Sequence, residues 1–147
     1  MPGELILVAK QNNCHPVDDF FDRPGMIDPP YVYGYLDGEK ENSAIYWCEN
    51  KDQQETKYFL SIYLKFESTE NQMNGCTNKI GWGNYPGGLS YDDGFIRNLD
   101  DFVYMDNPSE RPPKGIAIEN RVIKSEYDGV STFFYCHEGK WLVSQFH

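Results

Sequence analysis

The sequence predicts a strand-dominated α+β fold, in which two antiparallel meanders form one curved sheet or a sandwich and one helix lies near residues 91–104. Residues 31–66 contain runs that alternate between apolar and polar side chains, as half-buried strands do. Asp128-Gly129 is the dipeptide preferred in two-residue hairpin turns, and a strand-like run lies on either side of it. A chain of 147 residues suits one globular domain that spans residues 1–147.

The chain before residue 31 is expected to be mostly loop, with a short strand at residues 5–8. Residues 5–9 are apolar, but five residues are too few for the apolar region of a signal peptide or for a membrane span. We therefore expect a cytoplasmic protein. A mature periplasmic form whose leader has been removed is the alternative.

The first meander is expected to contain three strands, at residues 31–36, 43–48 and 57–66. Polar loops separate them, so neighbouring strands should pair in antiparallel fashion. If Leu36 faces Ser43, then Gly34 lies opposite Ile45 and leaves room for this bulky neighbour.

This register gives the first two strands one tyrosine-rich face. It carries Tyr31, Tyr33, Tyr35 and Tyr46, and we call it the tyrosine face. Tyrosine rings supply contact area and their hydroxyl groups supply direction, both in half-buried sheets and in binding surfaces. The tyrosine face is therefore a candidate ligand-binding surface, and coverage by another part of the chain is the alternative.

Residues 67–88 are polar and glycine-rich, which predicts a long loop. The loop lacks a Gly-Lys-Ser/Thr sequence and so does not resemble a phosphate-binding loop. It ends in a glycine-rich stretch that carries Trp82 and Tyr85, a composition typical of an adaptable recognition loop. We predict that Trp82 and Tyr85 contact a ligand, with packing of both rings in the core as the alternative.

A helix is predicted over residues 91–104. Ser90 and Asp93 resemble a capping box at its start. Apolar residues then recur at helical spacing, namely Phe95, Ile96, Leu99, Phe102 and Val103. Gly94 is unfavourable within a helix.

The second meander is predicted from residue 116 to the C-terminus. The Asp128-Gly129 turn places Tyr127 opposite Val130 and fixes the pairs that follow. These further pairs are Ser125 with Thr132, Ile123 with Phe134 and Arg121 with Cys136. Residues 130–136 are apolar on both faces at one end, so they should form a central strand covered on both sides, with the helix as the obvious cover.

Arg121 is a further candidate ligand-binding residue. The hairpin register puts it on the apolar face that carries Ile123, Phe134 and Trp141. A cation on this face needs a partner, and Glu119 on the same strand face is a local candidate. The alternative is that Arg121 binds an anionic ligand in a pocket.

The four cysteines are widely spaced, and no export signal accompanies them, so we expect reduced thiols. A zinc site that uses Cys14-His15 and Cys136-His137 is an alternative, although adjacent ligands are not the usual spacing. A hydrolase could use the same residues with a thiolate nucleophile. Because free cysteine is commonly a small core residue, structural thiols are the simpler interpretation.

Three pairs of adjacent aspartates could divide acid and base roles or bind a hard cation. These pairs are Asp18-Asp19, Asp92-Asp93 and Asp100-Asp101. The simpler interpretation is that the second pair begins the predicted helix and the third lies on its solvated side. We expect no metal site and no cofactor.

The chain has 13 basic and 23 acidic residues, a formal charge of −10, which opposes binding to nucleic acid or to anionic membranes. Our leading hypothesis is a non-catalytic domain that binds a small molecule or a protein partner through its aromatic surface. An acidic protein that neutralises a basic partner, and a hydrolase that uses Cys/His or paired Asp residues, are the alternatives. An exposed edge strand would also allow a homodimer.

Overall fold

The structure is a computed structural model. It describes residues 15–16, 31–34, 43–50, 57–64, 72–73, 76–77, 79–82, 87–92, 94–119, 121–127 and 129–146. Within these residues the regular structure is β-strand throughout, and no helix is present. The prediction of a strand-dominated fold is therefore confirmed.

The first meander forms the centre of an antiparallel five-stranded sheet, which we call the N-terminal sheet. Its strands are β1 (His15–Pro16), β2 (Tyr31–Gly34), β3 (Ser43–Asn50), β4 (Lys57–Leu64) and β7 (Lys79–Trp82). Strands β1 and β2 pair with different parts of β3, whereas β7 pairs with β4. A separate two-stranded ribbon consists of β5 (Gln72–Met73) and β6 (Cys76–Thr77).

The register between β2 and β3 differs from the predicted one. Gly34 pairs with Ser43, and Val32 rather than Gly34 lies opposite Ile45. The predicted pairing of Leu36 with Ser43 was wrong, because a polar loop of several residues does not fix a register as a two-residue turn does. The error is two residues, and the side-chain period of a strand is also two, so each residue keeps its predicted face.

The second meander forms most of another antiparallel five-stranded sheet, which we call the C-terminal sheet. Its strands are β8 (Gly88–Tyr91), β9 (Val103–Tyr104), β10 (Ile123–Tyr127), β11 (Val130–His137) and β12 (Lys140–Phe146). They lie in the order β8, β10, β11, β12, β9. Both meanders of the prediction are thus present, and the described strands divide between sheets rather than forming one continuous sheet.

The register of the β10–β11 hairpin is the predicted one. Tyr127 pairs with Val130, and the pairs of Ser125 with Thr132 and Ile123 with Phe134 follow. Gly129 has a φ of 82°, a left-handed conformation that glycine adopts without steric cost. The first strand is shorter than predicted because it begins at Ile123, so Arg121 lies outside the ladder.

The helix predicted over residues 91–104 is absent, and this prediction was wrong. Tyr91 ends β8, and Val103–Tyr104 is β9. Between them, the Asp92 carboxylate accepts hydrogen bonds from the amides of Gly94 and Ile96, at 3.2 and 2.8 Å. Such local side-chain bonds compete with helix formation, and Gly94 also has a φ of 103°.

The backbone of this segment bonds to residues that are distant in sequence. The Leu99 amide donates to the Ile116 carbonyl at 2.9 Å, and the Ile118 amide donates to the Arg97 carbonyl at 3.0 Å. Leu99 and Phe102 are nevertheless fully buried. The apolar spacing therefore identified residues that face the core, but not the backbone conformation that brings them there.

Strand β11 is buried on both faces, as predicted for a central strand. One face contributes Phe134 and Cys136 to a cluster that joins the two sheets. This first cluster also contains Ile45, Trp47, Cys76, Ile80, Leu89, Ile123 and Trp141. The other face contributes Phe133 and Tyr135 to a second cluster, with Leu99, Phe102, Val122 and Leu142. The irregular segment at residues 94–118, rather than a helix, covers this second face.

Gly87 links the two sheets through hydrogen bonds of its main chain. The Trp47 indole Nε1 of the N-terminal sheet donates to the Gly87 carbonyl at 2.9 Å. The Gly87 amide donates to the Ser125 Oγ of the C-terminal sheet at 3.1 Å. A Cβ at residue 87 would lie 2.6 Å from both the Ser125 Oγ and the Glu126 amide nitrogen. Only glycine fits this position without movement of the neighbouring backbone.

The expectation of reduced thiols was wrong. Cys76 of β6 and Cys136 of β11 form a disulfide, with 6.2 Å between their Cα atoms and 60 residues between them in sequence. Cys48 is disulfide-bonded as well, so all three described cysteines are oxidised. Wide spacing did not argue against disulfides, because strand pairing brings distant residues together.

We predict that Gly87→Ala lowers the free energy of unfolding by about 1–3 kcal/mol, because its Cβ would overlap the β10 backbone. Chemical denaturation measures the change. Gly81→Ala is the matched control, since a Cβ at residue 81 meets no atom within 4 Å. Equal stability of the two variants would contradict the tight approach at Gly87.

Candidate functional site

The tyrosine face lies partly within the described residues. Tyr31 is half-buried and pairs with Tyr46, while Tyr33 pairs with Ala44 on the same face. Tyr46 is 0% exposed, so it belongs to the interior of the protein. Tyr35 lies outside the described residues. The strand pairing thus places Tyr31, Tyr33 and Tyr46 on one face of the N-terminal sheet, and their role in binding stays a prediction.

The predicted recognition loop is shorter than its sequence indicated. Trp82 is the last residue of β7, where it pairs with Tyr58, and Gly88 already begins β8. Tyr85 lies outside the described residues. The function assigned to Trp82 and Tyr85 therefore stays a prediction as well.

Arg121 is exposed, and its guanidinium lies 5.1 Å from the centroid of the Tyr91 ring. This geometry is a cation–π contact, which satisfies a cation while leaving it in contact with water. Arg121 was predicted to lie opposite Cys136 on an apolar strand face. The ladder of β10 begins only at Ile123, so this pairing does not form.

A cleft opens at the edge of the C-terminal sheet, where β9 leaves β12. Strand β9 pairs only with Leu142 and Val143 of β12. Directly before Val103 in sequence the chain turns away from β12, where the Phe102 amide donates to the Leu99 carbonyl at 3.1 Å. The resulting cleft has a volume of about 350 Å³, and we call it the Phe146 cleft. Its lining includes Asp101, Val103, Arg111, Val143, Gln145 and Phe146.

The main chain of Gln145 faces this cleft. In an antiparallel strand, the amide and carbonyl of alternate residues point to the same edge. The Trp141 carbonyl accepts a hydrogen bond from the Met105 amide at 3.0 Å, and Val143 pairs with Val103. The main-chain amides and carbonyls of the odd-numbered residues of β12 therefore point away from β11. No strand among the described residues pairs with Gln145 on this edge.

An exposed aromatic ring adjoins the cleft. Phe95 is 75% exposed, and its ring centroid lies 6.1 Å from that of Phe146 in an edge-to-face arrangement. Phe146 in turn lies 5.5 Å from the buried Phe133, also edge to face. The three rings form a ladder from solvent to the second cluster, so the cleft has an apolar rim that is anchored in the core.

The cleft combines apolar side chains with charges of both signs. Asp101 and Arg111 are exposed charges, while Val103, Val143 and Phe146 are half-buried. Across the described part of the chain, no group of three or more His, Cys, Asp or Glu side chains is placed to hold a metal ion. Apolar surface beside a few polar groups of both charges is typical of a non-covalent binding site.

Sequence reasoning did not identify the Phe146 cleft. Phe95 was assigned to the buried face of a helix, and Asp101 to the solvated side of that helix. The signal that could have revealed the cleft is weak, since Val103–Tyr104 is a strand of two residues. Nothing in so short a segment predicts which edge it joins or where it leaves that edge.

No protein-family model, curated protein or solved structure matched the chain. Among the described residues, no helix has the length and apolar character needed to cross a bilayer.

We predict that Phe95→Ala changes the free energy of unfolding by at most about 1 kcal/mol, because the ring is mostly in water already. Phe102→Ala is the comparison, and we expect it to cost about 3–5 kcal/mol, since this ring is fully buried. Thermal and chemical denaturation of both variants measure the difference. A loss at Phe95 as large as that at Phe102 would show that Phe95 belongs to the core.

Proposed function

We propose that this protein is a non-catalytic binding domain that takes a protein partner at the Phe146 cleft. The observation that carries the proposal is the exposed Phe95 ring beside the cleft, where no described strand pairs with the outer edge of Gln145. Aromatic rings anchor many protein interfaces, because they bury a large area and lose little conformational freedom. The tyrosine face is the second candidate surface for the same function.

The state of the cysteines supports a non-catalytic role. Cys136 is bonded to Cys76, so it offers neither a thiolate nucleophile nor a zinc ligand in this form. The aspartates of residues 92–101 also serve loop structure. The Asp92 carboxylate binds two amides of its own loop, and the Asp100 Oδ1 accepts a hydrogen bond from the Gly115 amide at 2.8 Å.

The disulfides also bear on the compartment. Structural disulfides form and persist in oxidising environments and are rare in the cytosol. We therefore propose a periplasmic or extracellular location, in place of the cytoplasmic one expected from the sequence. The Cys76–Cys136 bond suits a structural role, because it links β6 to the central strand inside the first cluster.

An acidic inhibitor of a basic protein is the second candidate function. Asp101 lines the cleft, and the same segment of the chain carries further exposed carboxylates at Asp100, Asp106 and Glu110. Binding dominated by these charges would weaken steeply as ionic strength rises, whereas binding dominated by Phe95 would change little.

The binding function is tested by selecting peptides from a random library displayed on phage against the oxidised protein. We expect the selected peptides to bind wild-type protein and to lose about tenfold or more in affinity for Phe95→Ala. Isothermal calorimetry measures the affinities, and Tyr31→Ala is the control on the tyrosine face. A loss confined to Tyr31→Ala would move the site to that face, and recovery of no binding peptide would count against the proposed function.

The proposed compartment predicts the oxidation state of the isolated protein. When the protein is purified without reductant in the presence of an alkylating reagent, we expect no alkyl group on Cys48, Cys76 or Cys136. After denaturation and reduction, the intact mass should show alkylation of all four cysteines. Alkylation of Cys76 and Cys136 before reduction would contradict an oxidising compartment.

A further inference from the structure

We infer that the partner is an extended, basic peptide segment that adds as a strand to β12 at Gln145, in the Phe146 cleft. This inference rests on the proposed binding function and names the mode of binding and the chemistry of the partner. In such strand addition, main-chain hydrogen bonds to an open sheet edge provide affinity, and alternate side chains provide specificity.

The pairing register at the sheet edge leaves a position next to Gln145. Val103 pairs with Val143 and Tyr104 with Leu142, so a continued β9 would place Asp101 opposite Gln145. The chain instead leaves the edge at Phe102, which is fully buried in the second cluster. No strand among the described residues therefore occupies the position beside Gln145, and the cleft lies at this position.

The size and lining of the cleft fit a short extended peptide. Its volume of about 350 Å³ is at the lower end of the range for ligand pockets, so it holds a short stretch of chain rather than a folded element. Val103 and Val143 lie on one face of the sheet and Phe146 on the other, so they offer apolar contact to successive side chains of this stretch, which alternate between the two faces. Phe95 lies beyond Phe146 and extends the apolar surface along which the peptide would continue.

The segment that lines the cleft is rich in acidic residues. Residues 92–111, which include Asp101 and Arg111 of the cleft lining, contain six acidic and two basic side chains in the sequence, an excess of four negative charges. This favours Lys or Arg in the partner. It disfavours a second copy of this chain, because each copy would bring the same acidic segment and a formal charge of −10 to the interface.

The two charged side chains in the cleft restrict how many basic residues the peptide carries. Asp101 suits one Lys or Arg side chain, whereas Arg111 would repel a second one placed close by. We therefore expect a single basic residue flanked by apolar residues, rather than a polybasic sequence.

The experiment uses two synthetic peptides of equal length. Both consist of alternating valine and threonine, with a central lysine in one and a central glutamate in the other. Gln145→Pro removes the amide hydrogen that faces the cleft. The hydrogen bonds between β12 and β11 are kept, because the main-chain amide and carbonyl of residue 145 point away from β11. Gln145→Ala is the matched control, since both variants lose the Gln145 Nε2 to Thr132 Oγ1 hydrogen bond of 3.2 Å.

We expect the lysine peptide to bind wild-type protein and Gln145→Ala with equal affinity, and to bind Gln145→Pro at least about tenfold more weakly. The glutamate peptide should bind all three proteins weakly. Calorimetry gives the affinities, and amide chemical shifts in NMR spectra locate the site. Equal binding of the lysine peptide to Gln145→Pro and Gln145→Ala would overturn strand addition. So would a complete absence of binding to the wild-type protein, or a preference for the glutamate peptide.

A second measurement covers the case in which Gln145→Pro does not fold. Two forms of the lysine peptide are then made, one with N-methyl groups on the odd-numbered amides and one with them on the even-numbered amides. Each phase is tested against wild-type protein. Loss of binding in one phase supports strand pairing, and unchanged binding in both phases overturns it. If Phe95→Ala still weakens binding of the library-selected peptides, the proposed function stands while strand addition fails. A dimer of wild-type protein that dissociates in Gln145→Pro would show that a second copy occupies the edge, which also overturns the inference.

Discussion

The burial of β11 on both faces is the constraint on which the rest of the structure depends. A strand with large apolar residues on each side needs two separate covers, because one sheet face or one loop can protect only one of them. The N-terminal sheet contributes to the cover of the Phe134 face, and the segment at residues 94–118 covers the Phe133 face. Both halves of the chain are thus tied to this one strand of the second meander.

The cover on the Phe134 face is held by directional contacts as well as by apolar packing. The Trp141 indole donates to the Thr77 carbonyl at 2.8 Å, directly beside the Cys76–Cys136 disulfide. The Trp47 indole bonds to Gly87 in the same way. A buried indole N–H without an acceptor is unfavourable, so each tryptophan admits few relative positions of the elements that it joins. Apolar contact alone would permit sliding, whereas these bonds and the disulfide specify one arrangement.

The parts of the fold that followed from the sequence are those set by local chemistry. Asp128-Gly129 fixed the β10–β11 register because a two-residue turn leaves no freedom in the pairing. The loop between β2 and β3 does not fix the pairing register, and there only the sheet face of each residue was predicted correctly. The disulfide and the cleft depend on contacts between distant residues, which no local pattern encodes. The helix prediction failed for a related reason. The apolar spacing records that Leu99 and Phe102 are buried, but it does not specify the backbone conformation between them.

The unpaired position at Gln145 lies where β9 ends. The Phe102 amide donates to the Leu99 carbonyl, so the chain turns away from β12 directly before Val103. Because side chains alternate along a strand, a longer β9 would pair Asp101 with Gln145 and would still direct Phe102 to the face of Leu142. Burial of Phe102 is therefore compatible with either backbone path, and the turn serves Leu99, which joins the second cluster while its amide bonds to the Ile116 carbonyl. The segment that covers the Phe133 face thus leaves β12 at Gln145, which places a potential binding edge next to a strand that is buried on both faces.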